Sequence, residues 1–125
     1  MAPTLFSGQM KLMNRFAFNY RDPDSGEIVV ILDPEDKGYA IKRIIAKPGD
    51  TLRIKDGQLY LNNKKLDERY LPQGISTNTL GQFPDQFYIF GHDRYFLLGD
   101  NRTNSIDSRM YGAVPSENIL GTVAE

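Results

Sequence analysis

The stretch "GDNRTNSIDSRMYG", residues 99–112, is the most polar part of the chain, because Gly, Asp, Asn, Arg and Ser fill ten of its fourteen positions. Asp107 and Arg109 lie two residues apart, so an extended segment would place them on one face, where charge-assisted hydrogen bonds could lock the loop. Ser105 would share that face, and the three side chains suit a frame that holds a catalytic amine in place. The alternative is a well-bonded loop without chemistry, since these residue types are common in turns.

A candidate for that amine is Lys42, which lies in the apolar run "YAIKRIIA", residues 39–46. If this run is a central strand, Lys42 and Arg43 face opposite sides, and one of them points toward an apolar layer. Burial disfavours the charged form of lysine and lowers its pKa, and a neutral amine can act as a general base. The alternative is an edge strand from which Lys42 extends its ammonium group into water.

Other residue types narrow the possible chemistry. The 125 residues contain no cysteine, which excludes disulfides, thiolate zinc sites and a cysteine nucleophile. The only histidine, His92, lies in the turn-like "GHD"; one histidine cannot form a His-rich metal cluster, and it makes a Ser-His-Asp triad unfavourable. The net charge of -1 argues against a nucleic-acid interface driven by net charge. No run approaches the roughly 18 apolar residues of a membrane-spanning helix.

The apolar runs are short and are separated by Gly, Pro, Asp and Asn, which predicts strands and turns. The clearest hairpin is "TLRIKDGQLYL", where alternating residues flank Asp56-Gly57, a pair that favours a tight turn. Residues 67–86 are predicted to form a long loop. The predicted strands are 11–18, 28–32, 39–46, the two arms of that hairpin, 87–90, 94–98 and 119–124, with a helical turn starting at Pro115. The sequence therefore predicts one compact domain, residues 1–125, that is mostly β with antiparallel sheets.

Several segments resemble one protein family in its order along the chain. "KRIIAKPGD" (42–50) and "GDNRTNSIDSRMYGAVP" (99–115) resemble motifs of type I signal peptidases, the membrane-anchored Ser-Lys proteases that remove secretory signal peptides. "GEIVVIL" (26–32) resembles the segment before the family's lysine, and the initial "MAPTL" resembles the end of its Ser-Met-x-Pro-Thr-Leu motif. The resemblance implies antiparallel β-sheets with an extended hydrophobic substrate surface.

The resemblance also implies a role for each matching residue. Lys42 matches the general base, and Ser105 matches the serine that orients it. Asp107 and Arg109 match an acid-base pair that supports the site. The remaining matches are the supporting residues Asp100 and Arg102, and the positions near the substrate pockets, Met1, Leu5, Ala40 and Ile41.

The family's nucleophilic serine would directly precede Met1, and its membrane anchor would lie upstream of that serine. Ser7 does not match, because it follows the motif.

The resemblance implies a serine endopeptidase that cleaves signal peptides after small residues at -1 and -3, on the extracytoplasmic side of a bacterial cell membrane. It needs no metal or cofactor, its partners are preproteins and the membrane, and nucleic acid is not among them. These 125 residues alone are predicted to be inactive. The alternative is a non-catalytic β module that binds extended peptides or a partner protein.

Overall fold

The structure, a computed structural model, describes residues 13–14, 22–35, 37–77, 85–102 and 106–123. The described strands are short and are joined mostly by turns. They are β1 (Met13–Asn14), β2 (Ile28–Leu32), β3 (Tyr39–Ala46), β4 (Thr51–Lys55), β5 (Gln58–Leu61), β6 (Lys64–Lys65), β7 (Asp85–Ile89), β8 (Arg94–Leu98), β9 (Val114–Pro115) and β10 (Ile119–Val123). One α-helical turn, α1 (Ser108–Tyr111), precedes β9, and a 3-10 turn (Ser116–Asn118) follows it.

The strands form two sheets in which every described pair is antiparallel. The larger sheet has the order β1-β10-β2-β3-β8-β9, and the smaller has the order β6-β5-β4-β7. The prediction of a mostly β, antiparallel fold is therefore confirmed. β3 lies between β2 and β8 in the larger sheet, so it is a central strand, and its pairing with β8 begins at Arg43, the residue after Lys42.

The β4–β5 hairpin shows how local pattern determines structure. Asp56 and Gly57 have φ angles of 53° and 78°, the left-handed values that the predicted tight turn requires at both central positions. With this turn, Leu52, Ile54 and Leu59 all point inward and are fully buried. The alternating sequence of both arms thus gives the smaller sheet one apolar face and one solvated face.

The apolar face of the smaller sheet packs against the larger sheet. The resulting core cluster contains Leu52 and Ile54 from β4 together with Phe96 and Leu98 from β8, and its members are at most 6% exposed. Burying each such side chain stabilises the fold by about 1.5–3 kcal/mol. The opposite face of the larger sheet has a second core cluster, which includes Val29 and other residues of β2, β3 and β8.

The polar stretch and the predicted long loop contain the main departures from the predicted elements. Helix α1 was not predicted within residues 99–112. Residues 67–77 contain no helix or strand, and β7 begins at Asp85, two residues before the predicted strand. Most of the predicted strand at 11–18 lies outside the described residues. None of the described residues belongs to a helix with the length and apolar character needed to cross a membrane.

Candidate active site

Lys42 lies in the middle of the larger sheet. In the register of β2 and β3 it is opposite Val29, so it shares its face of the sheet with Val29 and with Ile44. Its side chain is half-buried, and this burial lowers the pKa of its amine. The carboxylates of Asp107 and Asp33 act in the opposite direction and the Arg109 guanidinium adds to the lowering, but burial is the larger influence. The amine is thus easier to deprotonate than that of an exposed lysine.

Asp107 and Arg109 form the predicted ion pair, with 2.8 Å between Arg109 Nη2 and Asp107 Oδ2. The local geometry differs from the extended segment that the sequence analysis expected. Asp107 is the N-cap of α1, and its Oδ1 accepts hydrogen bonds from the backbone N–H and the Nε–H of Arg109, both at 3.0 Å. A capping aspartate bonds the backbone two residues later, so the cap and the ion pair are one structure.

Ser108, which the sequence analysis did not select, joins the same turn to strand β8. Its Oγ accepts the backbone N–H of Leu97 at 2.9 Å, and Asp107 Oδ2 accepts the N–H of Gly99 at 3.2 Å. β9 pairs only with Arg94 and Tyr95, so the edge of β8 beyond Tyr95 needs other acceptors. Two neighbouring side chains supply them and hold the turn against the sheet.

Arg43 lies on the other face of β3 and is the more deeply buried of the two cations, at 1% exposure. Its Nε and Nη2 donate to the two carboxylate oxygens of Asp100 at 2.9 and 2.8 Å, and its Nη1 donates to the Gly26 carbonyl at 2.8 Å. The Tyr70 ring covers the guanidinium, with 3.7 Å from Cζ to the ring centroid. A bidentate pair with this stacking suits arginine and not lysine.

Arg102 is held from three directions in the same buried region. Its Nε donates to the Gly99 carbonyl and its Nη1 to Thr77 Oγ1, both at 2.8 Å, and its Nη2 forms an ion pair with Glu68. The Glu68 carboxylate also accepts the Tyr70 hydroxyl at 3.0 Å. The two predicted supporting residues, Asp100 and Arg102, therefore belong to one connected network.

Strand β3 is paired unequally on its two sides. Its pairing with β2 covers Tyr39 to Arg43, whereas its pairing with β8 begins only at Arg43. Among the described strands, none lies beside Tyr39–Ile41 on the β8 side. An extended peptide could add to the sheet there, directly before Lys42.

Only two of the four predicted substrate positions, Ala40 and Ile41, lie within the described residues. Ala40 packs against the cluster on the Lys42 face, whereas Ile41 packs against a third cluster, around Ile28, on the opposite face. Met1, Leu5 and Ser105 lie outside the described residues. Within the described part of the chain, no three His, Asp or Glu side chains are grouped closely enough to hold a metal ion.

Comparison with known families decides the assignment. The family model described as "Signal peptidase, peptidase S26" matches residues 1–125, the whole chain. The chain belongs to this signal peptidase family. The motifs that carry the resemblance, around Lys42 and Asp107, therefore lie in a true family member.

Individual relatives agree with the family match. The "Probable signal peptidase I-2" of Synechocystis is 40% identical over 97% of this chain, and "Signal peptidase I V" of Bacillus subtilis is 32% identical over 100% of it. The crystal structure of a signal peptidase I from Enterococcus faecalis superposes with a TM-score of 0.69 at 26% identity, covering 83% of this chain and 98% of that one. The chain spans 56% of the Synechocystis protein and 79% of the Bacillus one.

The residues around the site that the sequence analysis missed are Ser108 and three partners of the arginines, Glu68, Tyr70 and Thr77. The three partners come from residues 67–77, which carry no motif of the resemblance. Nothing in the letters "DERY" marks Glu68 or Tyr70 as buried, because hydrophobicity does not alternate there. The two residues lie in a turn in which the Leu71 N–H donates to the Glu68 carbonyl at 3.0 Å.

Proposed function

We propose that this chain is the catalytic domain of a serine endopeptidase that removes signal peptides from secreted preproteins with a Ser-Lys dyad. Membership of the signal peptidase family supports the reaction class. The observation that carries the proposal is the half-buried Lys42, whose pKa is lowered by burial, on a central strand beside the Asp107–Arg109 pair. A general base must be neutral to accept a proton, and this environment favours the neutral amine.

In the proposed mechanism, the nucleophile is the serine that the family motif places directly before Met1. The Lys42 amine takes the proton of this hydroxyl as its oxygen attacks the scissile carbonyl. The resulting ammonium returns the proton to the leaving amine, which gives an acyl-enzyme and the mature protein. Lys42 then deprotonates a water molecule that releases the signal peptide. Ser105 orients the amine, and no metal or cofactor takes part.

The proposed substrate is an extended peptide that adds to β3 along Tyr39–Ile41. Main-chain hydrogen bonds would give affinity, and small pockets would select small residues at -1 and -3. Ala40 lies on the Lys42 face, and Met1, Leu5 and Ile41 complete the proposed pocket positions. An upstream anchor would hold the domain on the extracytoplasmic side of the bacterial cell membrane, where preproteins emerge.

The frame around the site is proposed to act by holding Lys42 and the approaching carbonyl in fixed positions. Asp107 and Arg109 brace the turn against β8, Asp100 holds Arg43 within β3, and Arg102 holds the Gly99 carbonyl directly after β8. Fixed positions matter because an error of about 1 Å in the reacting groups can slow a reaction by about 100-fold.

The test uses the chain joined to the upstream residues that supply the serine and the anchor, in detergent or vesicles, with a preprotein substrate. We expect cleavage, and we expect Lys42→Ala to lower kcat by at least about 100-fold, since a general base contributes about 10²–10⁴-fold. Lys55→Ala, which removes an exposed lysine of β4, is the matched control and should retain the rate. The rate should rise with pH to a midpoint below the ordinary pKa of lysine, about 10.4.

Two results would contradict the proposal. Full activity of Lys42→Ala would remove Lys42 from the mechanism. Tight binding of the peptide without cleavage by the serine-containing chain would favour the alternative, a β module that binds extended peptides.

A further inference from the structure

The buried network between the two sheets contains more than Asp100 and Arg102, the two supporting residues that the resemblance assigned. Two guanidinium groups, of Arg43 and Arg102, face two carboxylates, of Asp100 and Glu68, so the four formal charges cancel. Burying such charges is tolerable only when they are paired and hydrogen-bonded. Glu68 is the one carboxylate of this set that comes from outside the strands and the polar stretch, and its side chain is only 15% exposed.

Glu68 holds two separate groups with one carboxylate. Its Oε2 lies against Arg102 Nη2 and also accepts the Tyr70 hydroxyl at 3.0 Å. Through Tyr70 it fixes the ring that covers Arg43, the residue adjacent to Lys42. Through Arg102 it fixes the Gly99 carbonyl, which accepts Arg102 Nε at 2.8 Å.

The Gly99 peptide connects this network to the proposed active site. Its carbonyl binds Arg102, whereas its N–H binds Asp107 Oδ2 at 3.2 Å. Asp107 also holds Arg109 and caps α1. The Asp107 carboxylate also faces Lys42, where it raises the pKa of the amine against the larger lowering by burial. A continuous series of contacts therefore runs from Glu68 through Arg102 and Gly99 to the frame of the catalytic lysine.

We propose that Glu68 is a positioning residue of this peptidase, which holds Arg102 and Tyr70 so that Gly99 and Asp107 keep the geometry that Lys42 needs. The inference rests on the proposed function, because it assigns a part in the same reaction. The described polar contacts of Glu68 are with Arg102 and Tyr70, away from Tyr39–Ile41, so its effect is expected on the chemical step and not on substrate binding.

The test compares Glu68→Gln with wild-type enzyme in the serine-containing, anchored protein. Glutamine keeps the length and an acceptor oxygen for Tyr70 but removes the charge that faces Arg102. We expect kcat of the folded enzyme to fall by about 10- to 100-fold with KM unchanged within about twofold. Asp67→Asn is the matched control: it removes a carboxylate from the neighbouring position, whose side chain is 62% exposed, and both constants should stay at wild-type values.

Circular dichroism at the assay temperature gives the folded fraction to which kcat is referred. If Glu68→Gln does not fold, Thr77→Val decides, because it removes the other side-chain acceptor of Arg102 and keeps the shape. Thr77→Val should lower kcat by the same factor and leave KM unchanged. The inference would be overturned if the variant had the wild-type kcat per folded molecule. It would also be overturned if its loss of activity came from a higher KM.

Wild-type enzyme and Lys42→Ala are measured in the same assay. If wild-type enzyme does not cleave, or if Lys42→Ala cleaves normally, the proposed function fails. If Lys42→Ala abolishes cleavage and Glu68→Gln leaves it unchanged, the proposed function stands and only the positioning role of Glu68 is refuted.

Discussion

Two Asp-x-Arg segments of this chain form the same ion pair in opposite surroundings. The nitrogen–oxygen distance is 2.7 Å in Asp67–Arg69 and 2.8 Å in Asp107–Arg109. The first two side chains are 62% and 90% exposed, whereas the second two are 0% and 2% exposed. Spacing and distance are therefore nearly the same, and the surroundings decide what the pair does.

The difference comes from what else each aspartate binds. Asp67 lies in water, where its attraction to Arg69 is screened and contributes about 0–1 kcal/mol. Asp107 accepts four hydrogen bonds, three from Arg109 and one from the Gly99 backbone, and no water can replace them at full burial. Removing one partner of such a buried pair costs about 3–5 kcal/mol, because the other charge remains buried and uncompensated.

The largest predicted effect follows from this contrast. Asp107→Ala should lower the free energy of unfolding by about 3–5 kcal/mol, whereas Asp67→Ala should lower it by less than about 1 kcal/mol. Urea denaturation of the two variants measures both values. Similar losses in the two variants would show that burial is not what distinguishes the pairs.

Elements with a strong local pattern were predictable from the sequence. Strands at 28–32, 39–46 and 94–98 have the predicted bounds, and the hairpin turn lies at Asp56-Gly57 as expected. These predictions rest on period-2 alternation and on turn residues, which act within a few positions of the chain. Helix α1 was missed because four residues are too few to show a helical period.

Contacts within the candidate site were predictable only where a motif contained the residues. Asp107 and Arg109 stood out within "DSR", but "DER" at 67–69 has the same spacing and no buried pair. The Asp107–Arg109 pair is buried and the Asp67–Arg69 pair is not, and this difference depends on residues far away in the chain. Glu68 and Tyr70 meet Arg102 and Arg43 across more than twenty-five residues, and no local pattern reports such contacts.

A second comparison of buried and exposed contacts gives a smaller expected effect. Ser108 Oγ and Asn62 Oδ1 each accept a strand N–H at 2.9 Å, from Leu97 in the core and from Thr51 at the surface. Ser108→Ala leaves the Leu97 N–H buried without this acceptor, which should cost about 1–3 kcal/mol. In Asn62→Gly water can replace the acceptor, and glycine tolerates the φ of 51°, so the loss should stay within about 0.5 kcal/mol.

Urea denaturation gives both energies, and amide hydrogen exchange reports the Leu97 N–H directly. Exchange at Leu97 should accelerate in Ser108→Ala and stay slow in Asn62→Gly. An unchanged stability of Ser108→Ala would mean that another group or water replaces the serine oxygen, and that the edge of β8 does not depend on this turn.

The smallest predicted effect lies within the segment that contains the exposed pair. Tyr70 is next to Arg69 but points inward, where burial and then the Glu68 carboxylate raise the pKa of its hydroxyl above the ordinary value. Arg102 and Arg43, which also face it, act in the opposite direction but do not outweigh burial. The folded state therefore holds this proton to a higher pH than the unfolded state does. Stability from this group is fully present below about pH 10, the ordinary pKa of tyrosine, and is lost as the pH rises above it.

Comparing wild-type protein with Tyr70→Phe isolates this contribution, since phenylalanine keeps the ring over Arg43 and removes the titrating hydroxyl. Urea denaturation at pH 8, 9, 10 and 11 should show a constant difference in stability up to about pH 9 and a relative loss in the wild type above about pH 10. A difference that stays constant over the whole range would place the Tyr70 hydroxyl in contact with solvent. The contrast between exposed and buried residues would then not extend to Tyr70.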